Sequence, residues 1–366
     1  MAFTTDLTVD EISFPGIDAL PVLEILPDPL MLDGKKVTSA EEWSRHREHL
    51  RSLMLHYEYG QIPPPPESLT VEPQDEEVAL EGKALLRRFT LRLGPDGSVP
   101  VECGYYLPAS GRGPFPVIVA VDPVFDVHVR PIAEQVTGRG FAFAGFRYLD
   151  VARDEPQRDS GVYAAYPNFD WGTIAAWAWG CSRLIDHLVT IDSIDPERIV
   201  VTGHSRCGKA ALLCGALDER VAVTAPHCSG EGGTGSHRIQ GPGAESLDAI
   251  TDPQRFHYWF HPRLREFASN PRKLPFDQHF VMAMIAPRAL VCVEADEDRW
   301  ANPSGARIMA QSAMPVYDLF GAREKLGYYL RKGTHDPTAE SWQAIMDFGE
   351  CVFQGKTIPP AYRVTE

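Results

Sequence analysis

The stretch Ile199-Val200-Val201-Thr202-Gly203-His204-Ser205-Arg206-Cys207-Gly208-Lys209-Ala210-Ala211-Leu212 constrains the fold more than any other part of the chain. A β-branched run breaks at a glycine-flanked serine and continues directly in helix formers. A sharp strand-to-helix turn lifts its central side chain off the sheet, and the first N–H groups of the following helix face the same point. Ser205 is therefore the candidate nucleophile of an acyl-transfer site. The usual spacing is Gly-x-Ser-x-Gly, whereas here Cys207 takes the second place after the serine and the glycine moves to Gly208. A serine that merely caps a buried helix would also fit the local pattern. Arg206 and Lys209 weigh against it, because two cations in a first helical turn oppose the macrodipole. A demand other than helix stability selects them.

Apolar runs of strand length at Val117–Val121, Phe141–Phe146, Ile199–Thr202, Val221–Ala225 and Ala289–Val293 alternate with helical or loop segments. That alternation predicts an α/β fold whose mostly parallel sheet is covered by helices on both faces. Before it, Ala84–Leu93 and Val101–Leu107 predict an antiparallel hairpin around Gly94-Pro95-Asp96-Gly97. Residues 1–66 read as an extension packed on the core, with one helix over about Ala40–Tyr59 closed by Gly60 and the Pro63–Pro66 run. Residues 67–366 are expected to form a single catalytic domain.

A serine nucleophile needs a base, and in α/β-hydrolases the chain order is serine, acid, histidine. His335 fits the last place, in the loop Lys332-Gly333-Thr334-His335-Asp336-Pro337 after a predicted strand at Gly327–Arg331. The acid is expected just beyond Ala289–Val293, where Glu294, Asp296, Glu297 and Asp298 all qualify. Order alone does not choose among them.

A formal net charge of −15 argues against nucleic acid or an anionic membrane surface as partner. No apolar run of about 18 residues appears, so a soluble chain is expected. The opening Met1-Ala2-Phe3-Thr4-Thr5-Asp6 has neither the charged nor the apolar region of a secretory signal. The seven cysteines are odd in number and widely spread, which predicts reduced core residues. Cys207 and Cys214, seven apart on one predicted helix, would lie roughly 10 Å apart by helical rise, too far for a disulfide.

Gly203-His204-Ser205-Arg206-Cys207-Gly208-Lys209 resembles the Gly-x-Ser-Arg-x-Gly-Lys signature of the glucuronoyl esterases, carbohydrate esterase family 15, in which the displaced glycine is normal. Four other segments resemble the bacterial branch: Asp170-Trp171-Gly172 with Ala175 to Gly180, Ser229 to Gly233, Tyr258-Trp259-Phe260, and Asp298 to Pro303. The resemblance runs from about Pro114 to Phe353. It implies one α/β-hydrolase domain that cleaves esters between 4-O-methyl-glucuronate on xylan and a lignin alcohol, without metal or organic cofactor. The resemblance suggests a secreted or periplasmic enzyme, and action on imported oligosaccharides inside the cell is the alternative; a monomer is expected.

The same resemblance makes Ser205 the nucleophile, His335 the general base, and Arg206 an oxyanion stabiliser through its backbone N–H and guanidinium. It assigns Lys209 and Glu245 to sugar hydroxyls and Trp300 to the wall of the sugar site, with Gln278 as a further substrate contact or a residue packed below the pocket. Some members carry the acid after an earlier strand, where this chain has Cys228. A thiol cannot orient a histidine as a carboxylate does, so the acid is expected in the later loop, where the resemblance, through its Asp-x-Trp match at Asp298-Arg299-Trp300, implies Asp298, with Glu294 in reserve and Glu231 third.

Three other readings bear on the same residues. His257 and His261 have the i, i+4 spacing of a zinc helix but lack the glutamate of His-Glu-x-x-His and a third ligand, so no metal is expected. A different acyl pocket on the same triad would make an acetyl or other carbohydrate ester hydrolase. The loss of an acid at Cys228 would suit a carbohydrate-binding pseudoenzyme.

Overall fold

The β-branched runs pair into one nine-stranded sheet in a computed structural model that describes residues 13–32 and 34–364. Its strands are β1 (Thr70–Ala79), β2 (Ala84–Leu93), β3 (Val99–Pro108), β4 (Phe115–Ala120), β5 (Ala142–Phe146), β6 (Ile194–His204), β7 (Val221–His227), β8 (Ala289–Ala295) and β9 (Leu326–Arg331). They lie in the order β9-β8-β7-β6-β4-β5-β3-β2-β1. The six from β9 to β5 are parallel, and β3, β2 and β1 join antiparallel at one edge. The chain steps from β4 to β5 on one side and to β6 on the other, and open parallel sheets present binding crevices at the carboxyl ends of strands near such a reversal.

Alternate side chains of each strand enter different cores, as period-two geometry requires. Val119 and Val201 pack with helices α1 (Ala40–Met54), α3 (Thr173–Leu188), α4 (Arg206–Leu217), α5 (His279–Ile285) and α6 (Pro303–Leu319). Ile118, Val200, Val223 and Val291 pack on the other face with α2 (Arg130–Gly138) and α7 (Ala339–Phe353). The three-layer α/β-hydrolase architecture expected from the sequence is thus the one observed.

β1 has no counterpart among the predicted strands. Its Glu72, Asp75, Glu76 and Glu77 face Arg87, Arg88 and Arg92 of β2, with N···O separations of 2.6–3.0 Å. Such exposed pairs add little stability, but a charged outer strand discourages edge-to-edge association.

The described part of the expected extension lies against the helices. Arg47 Nε donates to Met284 O (2.8 Å), its Nη2 donates to Ala216 O (2.8 Å), and Trp179 Nε1 donates to Pro63 O (3.1 Å). After Met54 the helix widens into a π-turn over Leu55–Tyr59, which carries the carboxylate of Glu58 into the interior. Gly60, at φ +81°, ends it where a side chain would meet Asp170 O at 2.6 Å. Residues 1–12, including the stretch read for a secretory signal, lie outside the described residues. Among those described, no helix is long and apolar enough to cross a membrane. All seven thiols are free, and Cys207 and Cys214 share α4 as expected.

Candidate active site

The strand-to-helix turn between β6 and α4 holds Ser205 at φ +57°, ψ −123°, a conformation costly for a residue with a side chain. Its hydroxyl makes no cap bond to the helix, which removes the simple N-cap reading. The backbone is fixed from both sides. Ser205 N donates to His227 O (2.9 Å), and the first bonds back to Ser205 O come from Gly208 N (2.8 Å) and Lys209 N (3.1 Å). The N–H groups of Arg206 and Cys207 precede those bonds and sit at the positive end of the helix.

Two close approaches explain the displaced glycine. A Cβ on Gly203 would stand 2.3 Å from Cys207 O, and one on Gly208 would stand 2.9 Å from both Gly203 O and Ser229 Cβ. The helix therefore needs its small residue at the third place after the serine, where it crosses the ends of β6 and β7. Cys207 points into the core, and burial pushes its thiol well up. Gly208→Ala is expected to destabilise the protein by about 1–3 kcal/mol through this overlap and to lower turnover with it. Thermal unfolding and initial rates check it; an unchanged Tm with full turnover would contradict the packing account.

Register brings the remaining groups to the same level. His204 pairs with His227, His227 with Val293, and Ala295 with Arg331, so the ends of β6, β7, β8 and β9 open on one rim. His335 Nδ1 lies 2.6 Å from Asp298 Oδ2. Burial raises the Asp298 carboxyl, but the hydrogen bond and charge of His335 and the N–H of Ala301 outweigh it and hold the group below its ordinary value. An ionised carboxylate only accepts, so Nδ1 carries the proton of this bond and the ring's lone pair, when it has one, lies on Nε2. The ring stands against the elbow, 4.5 Å centroid to centroid from His204. His204 Nε2–H donates to His335 O (2.7 Å), and burial together with the neighbouring His335 lowers the His204 pKa to about 4.

The four candidate carboxylates are thereby sorted. Glu294 is fully buried, accepts from Thr234 Oγ1 (2.6 Å) and is pushed up to about 8 by burial. Asp296 accepts from Gly333 N (3.0 Å) and Lys332 Nζ (2.6 Å), and Glu297 points to solvent. Only Asp298 reaches the imidazole. Glu231, the third possibility, is buried against His237 Nδ1 at 2.8 Å. Cys228 follows β7 at φ +44°, and burial, with Glu294 and Asp298 beside it, keeps its thiol protonated.

Both cations of the first helical turn have counter-ions. The Arg206 guanidinium pairs with Asp154 and stands 5.3 Å over the Trp259 ring. Asp154 also accepts from Trp259 Nε1 (2.7 Å) and Tyr258 Oη (3.1 Å), so these two aromatics hold the carboxylate that pairs with Arg206. Lys209 Nζ donates to Glu245 Oε2 (2.7 Å) and to the Glu231 carbonyl. Glu245 N in turn donates to Trp300 O (2.9 Å), and Trp300 is 40% exposed. Ser205, Arg206, His335, Asp298, Lys209, Glu245 and Trp300 are thus joined in one neighbourhood.

Gln278 is set apart from them, which corrects the expectation that it meets substrate. It is fully buried, donates from Nε2 to Glu58 Oε1 (2.7 Å) and lies 2.8 Å from His237 Nε2. His237 sits between Glu231 and Glu58; burial opposes its charge, but the two carboxylates raise it well above the ordinary imidazole value. Asp154, Glu58 and His237 were not found from sequence. Only Glu58, a charge inside Leu55-His56-Tyr57-Glu58-Tyr59, carried a signal, as an acid in an apolar turn.

His257 and His261 do not share a helix. A 3₁₀ turn ends at Trp259, and His261 Nε2 is bound to Asp170 Oδ2 at 3.0 Å. Among the described residues the one three-donor group of metal-ligand spacing is Cys228, Asp298 and His335, within 4.8 Å of one another. Two of its members are already bonded to each other. The elbow serine, the carboxylate and the imidazole follow one another along the chain in the order that α/β-hydrolases use.

Comparison with known proteins points the same way. A family described as glucuronyl esterase of fungi matches residues 96–321. Carbohydrate esterase MZ0003, from an unknown prokaryotic organism, is 31% identical, with 89% of each chain covered. A family 15 glucuronoyl esterase from Caldicellulosiruptor kristjansonii is 31% identical and superposes with a TM-score of 0.79 over 95% of this chain and 99% of its own. The Sporotrichum thermophile glucuronoyl esterase, solved as a serine-to-alanine mutant with methyl 4-O-methyl-β-D-glucopyranuronate, is 26% identical, with a TM-score of 0.73 over 93% and 91% of the two chains.

Proposed function

We infer, from the premise that this chain belongs to the glucuronyl esterases of carbohydrate esterase family 15, that it hydrolyses 4-O-methyl-glucuronoyl esters through an acyl-enzyme on Ser205. The observation that carries the reading is the His335–Asp298 hydrogen bond of 2.6 Å on the rim beside the strained serine. In the proposed reaction His335 Nε2 takes the Ser205 proton as Oγ attacks the ester carbonyl. The oxyanion faces the amides at the start of α4, with the Arg206 guanidinium at its side. Collapse expels the alcohol, which leaves with the proton from His335, and water repeats the sequence to release the uronate.

The Lys209–Glu245 pair and Trp300 are proposed to recognise the sugar. A uronate esterified to a lignin alcohol on glucuronoxylan is the proposed natural substrate, acted on by a monomer. Residues 67–366 are proposed to form the catalytic domain, with residues 1–66 an extension whose Glu58 joins the buried network below the pocket.

Benzyl glucuronate is expected to be cleaved much faster than acetylated xylose. Lys209→Ala should raise KM for the glucuronate ester about tenfold or more, the cost of a hydrogen bond to a charged group. Any residual rate of the same variant on the acetyl ester serves as its own check of folding. Faster cleavage of acetate would move the reading to an acetyl esterase, and no turnover of any ester by the parent would favour a carbohydrate binder.

A further inference from the structure

Arg331 closes β9 and is 2% exposed, yet among the described residues none of its hydrogen bonds goes to a carboxylate. Nε donates to Ser341 Oγ (2.8 Å), Nη1 to Lys332 O (3.0 Å), and Nη2 to Thr334 O (2.8 Å) and Asp336 O (2.5 Å). Burying a cation without a bonded counter-ion is costly, and a neutral side chain would fill the same space without that penalty. The three carbonyls explain its presence. They belong to every second residue of the loop that carries His335, two before it and one after, and they would otherwise turn inward without donors.

The loop is wound on the guanidinium. Gly333 crosses it at φ +104°, and a Cβ there would stand 3.4 Å from Nη1. On its outer side the loop is tied to the acid-bearing segment, with Gly333 N donating to Asp296 Oδ1 (3.0 Å) and Glu297 N donating to Gly333 O (3.0 Å). On its inner side Ser341 Oγ, the last acceptor of Arg331, belongs to the capping box that starts α7 and lies 3.1 Å from His227 Nε2. One planar fork thus joins the strand, the loop and the helix between which His335 is suspended. Lysine would supply the charge but not a rigid fan of donors.

We propose that Arg331 is a positioning residue for the esterase reaction, a buried guanidinium template that curls the 332–336 loop and fixes where His335 presents Nε2 to Ser205. It has no contact with substrate, so its removal acts on the rate of the chemical step rather than on binding. The proposal rests on His335 being the general base.

The test uses the full chain with benzyl glucuronate, comparing Arg331→Met, Arg331→Lys and Arg331→Ala with the parent and with His335→Ala. Arg331→Met is expected to lose about 100-fold in kcat, the scale of a roughly 1 Å misplacement of a reacting group, while KM stays within about threefold. Arg331→Lys should lose about as much, since charge alone does not span three carbonyls. Guanidinium at low millimolar concentration should restore part of the kcat of Arg331→Ala in a saturable way, whereas methylammonium should not. Full kcat in the folded lysine and methionine variants would overturn the proposal, as would a KM that rises in step with the loss of rate. If the methionine variant does not fold, the lysine variant and the guanidinium rescue decide. An active His335→Ala would instead defeat the reading of the site itself, whatever the arginine variants do.

Discussion

Ser205→Ala is expected to reduce hydrolysis of a glucuronate ester by at least about 10⁴-fold in kcat, since the loss of a triad nucleophile leaves only oxyanion stabilisation and binding. The expectation is sharper here than for a generic serine enzyme. The nearby thiols of Cys207 and Cys228 are both held protonated by burial, so neither can take over the attack. Methyl glucuronate affinity should survive the substitution, because Lys209, Glu245 and Trp300 are untouched. The alanine variant also relieves no strain, since its Cβ meets the same positive φ of +57°. Calorimetric titration of the alanine variant with methyl glucuronate alongside a turnover assay checks both halves. Retained turnover would remove Ser205 from the mechanism.

Asp298→Asn is expected to cost about 10³- to 10⁴-fold in kcat, because an amide can donate as well as accept and so loses control of the His335 tautomer. Glu294→Gln should stay within a few-fold of the parent. Glu294 bonds Thr234 rather than the histidine and is already neutral near pH 7, with its pKa pushed to about 8 by burial. That shift also has a stability signature. A carboxyl whose pKa is 4.5 unfolded and about 8 folded holds its proton longer in the native state, so stability is full below 4.5 and falls as pH rises through about 8. Glutamine mimics the protonated acid, so Tm in Glu294→Gln should fall less than in the parent between about pH 5 and 9. Loss of activity in Glu294→Gln with full activity in Asp298→Asn would reverse the choice of acid.

The sequence made the sheet legible because five of its strands carry apolar runs, and an apolar run between turn signals has few alternatives. β1 escaped because Glu72, Asp75, Glu76 and Glu77 mask any alternation, and its partners are the arginines of β2 rather than a core. The order serine, acid, histidine located the site. Choosing Asp298 among four carboxylates rested on the family resemblance alone, since the physical choice depends on β8–β9 register and on a turn that no local pattern encodes. The two cations were visible as residues that oppose the helix macrodipole, but their counter-ions Asp154 and Glu245 come from distant loops. Gln278 was left between substrate contact and packing for a similar reason. A polar residue before an apolar helix looks the same whether it opens on a pocket or closes over Glu58 and His237.

Cys228 and Asp298 follow the ends of neighbouring strands and reach the same imidazole neighbourhood, within 4.8 Å. The scaffold thus offers two sockets for a single carboxylate. Which of the two carries the acid is then a matter of which strand end supplies it, and the imidazole can be held from either side without moving the serine.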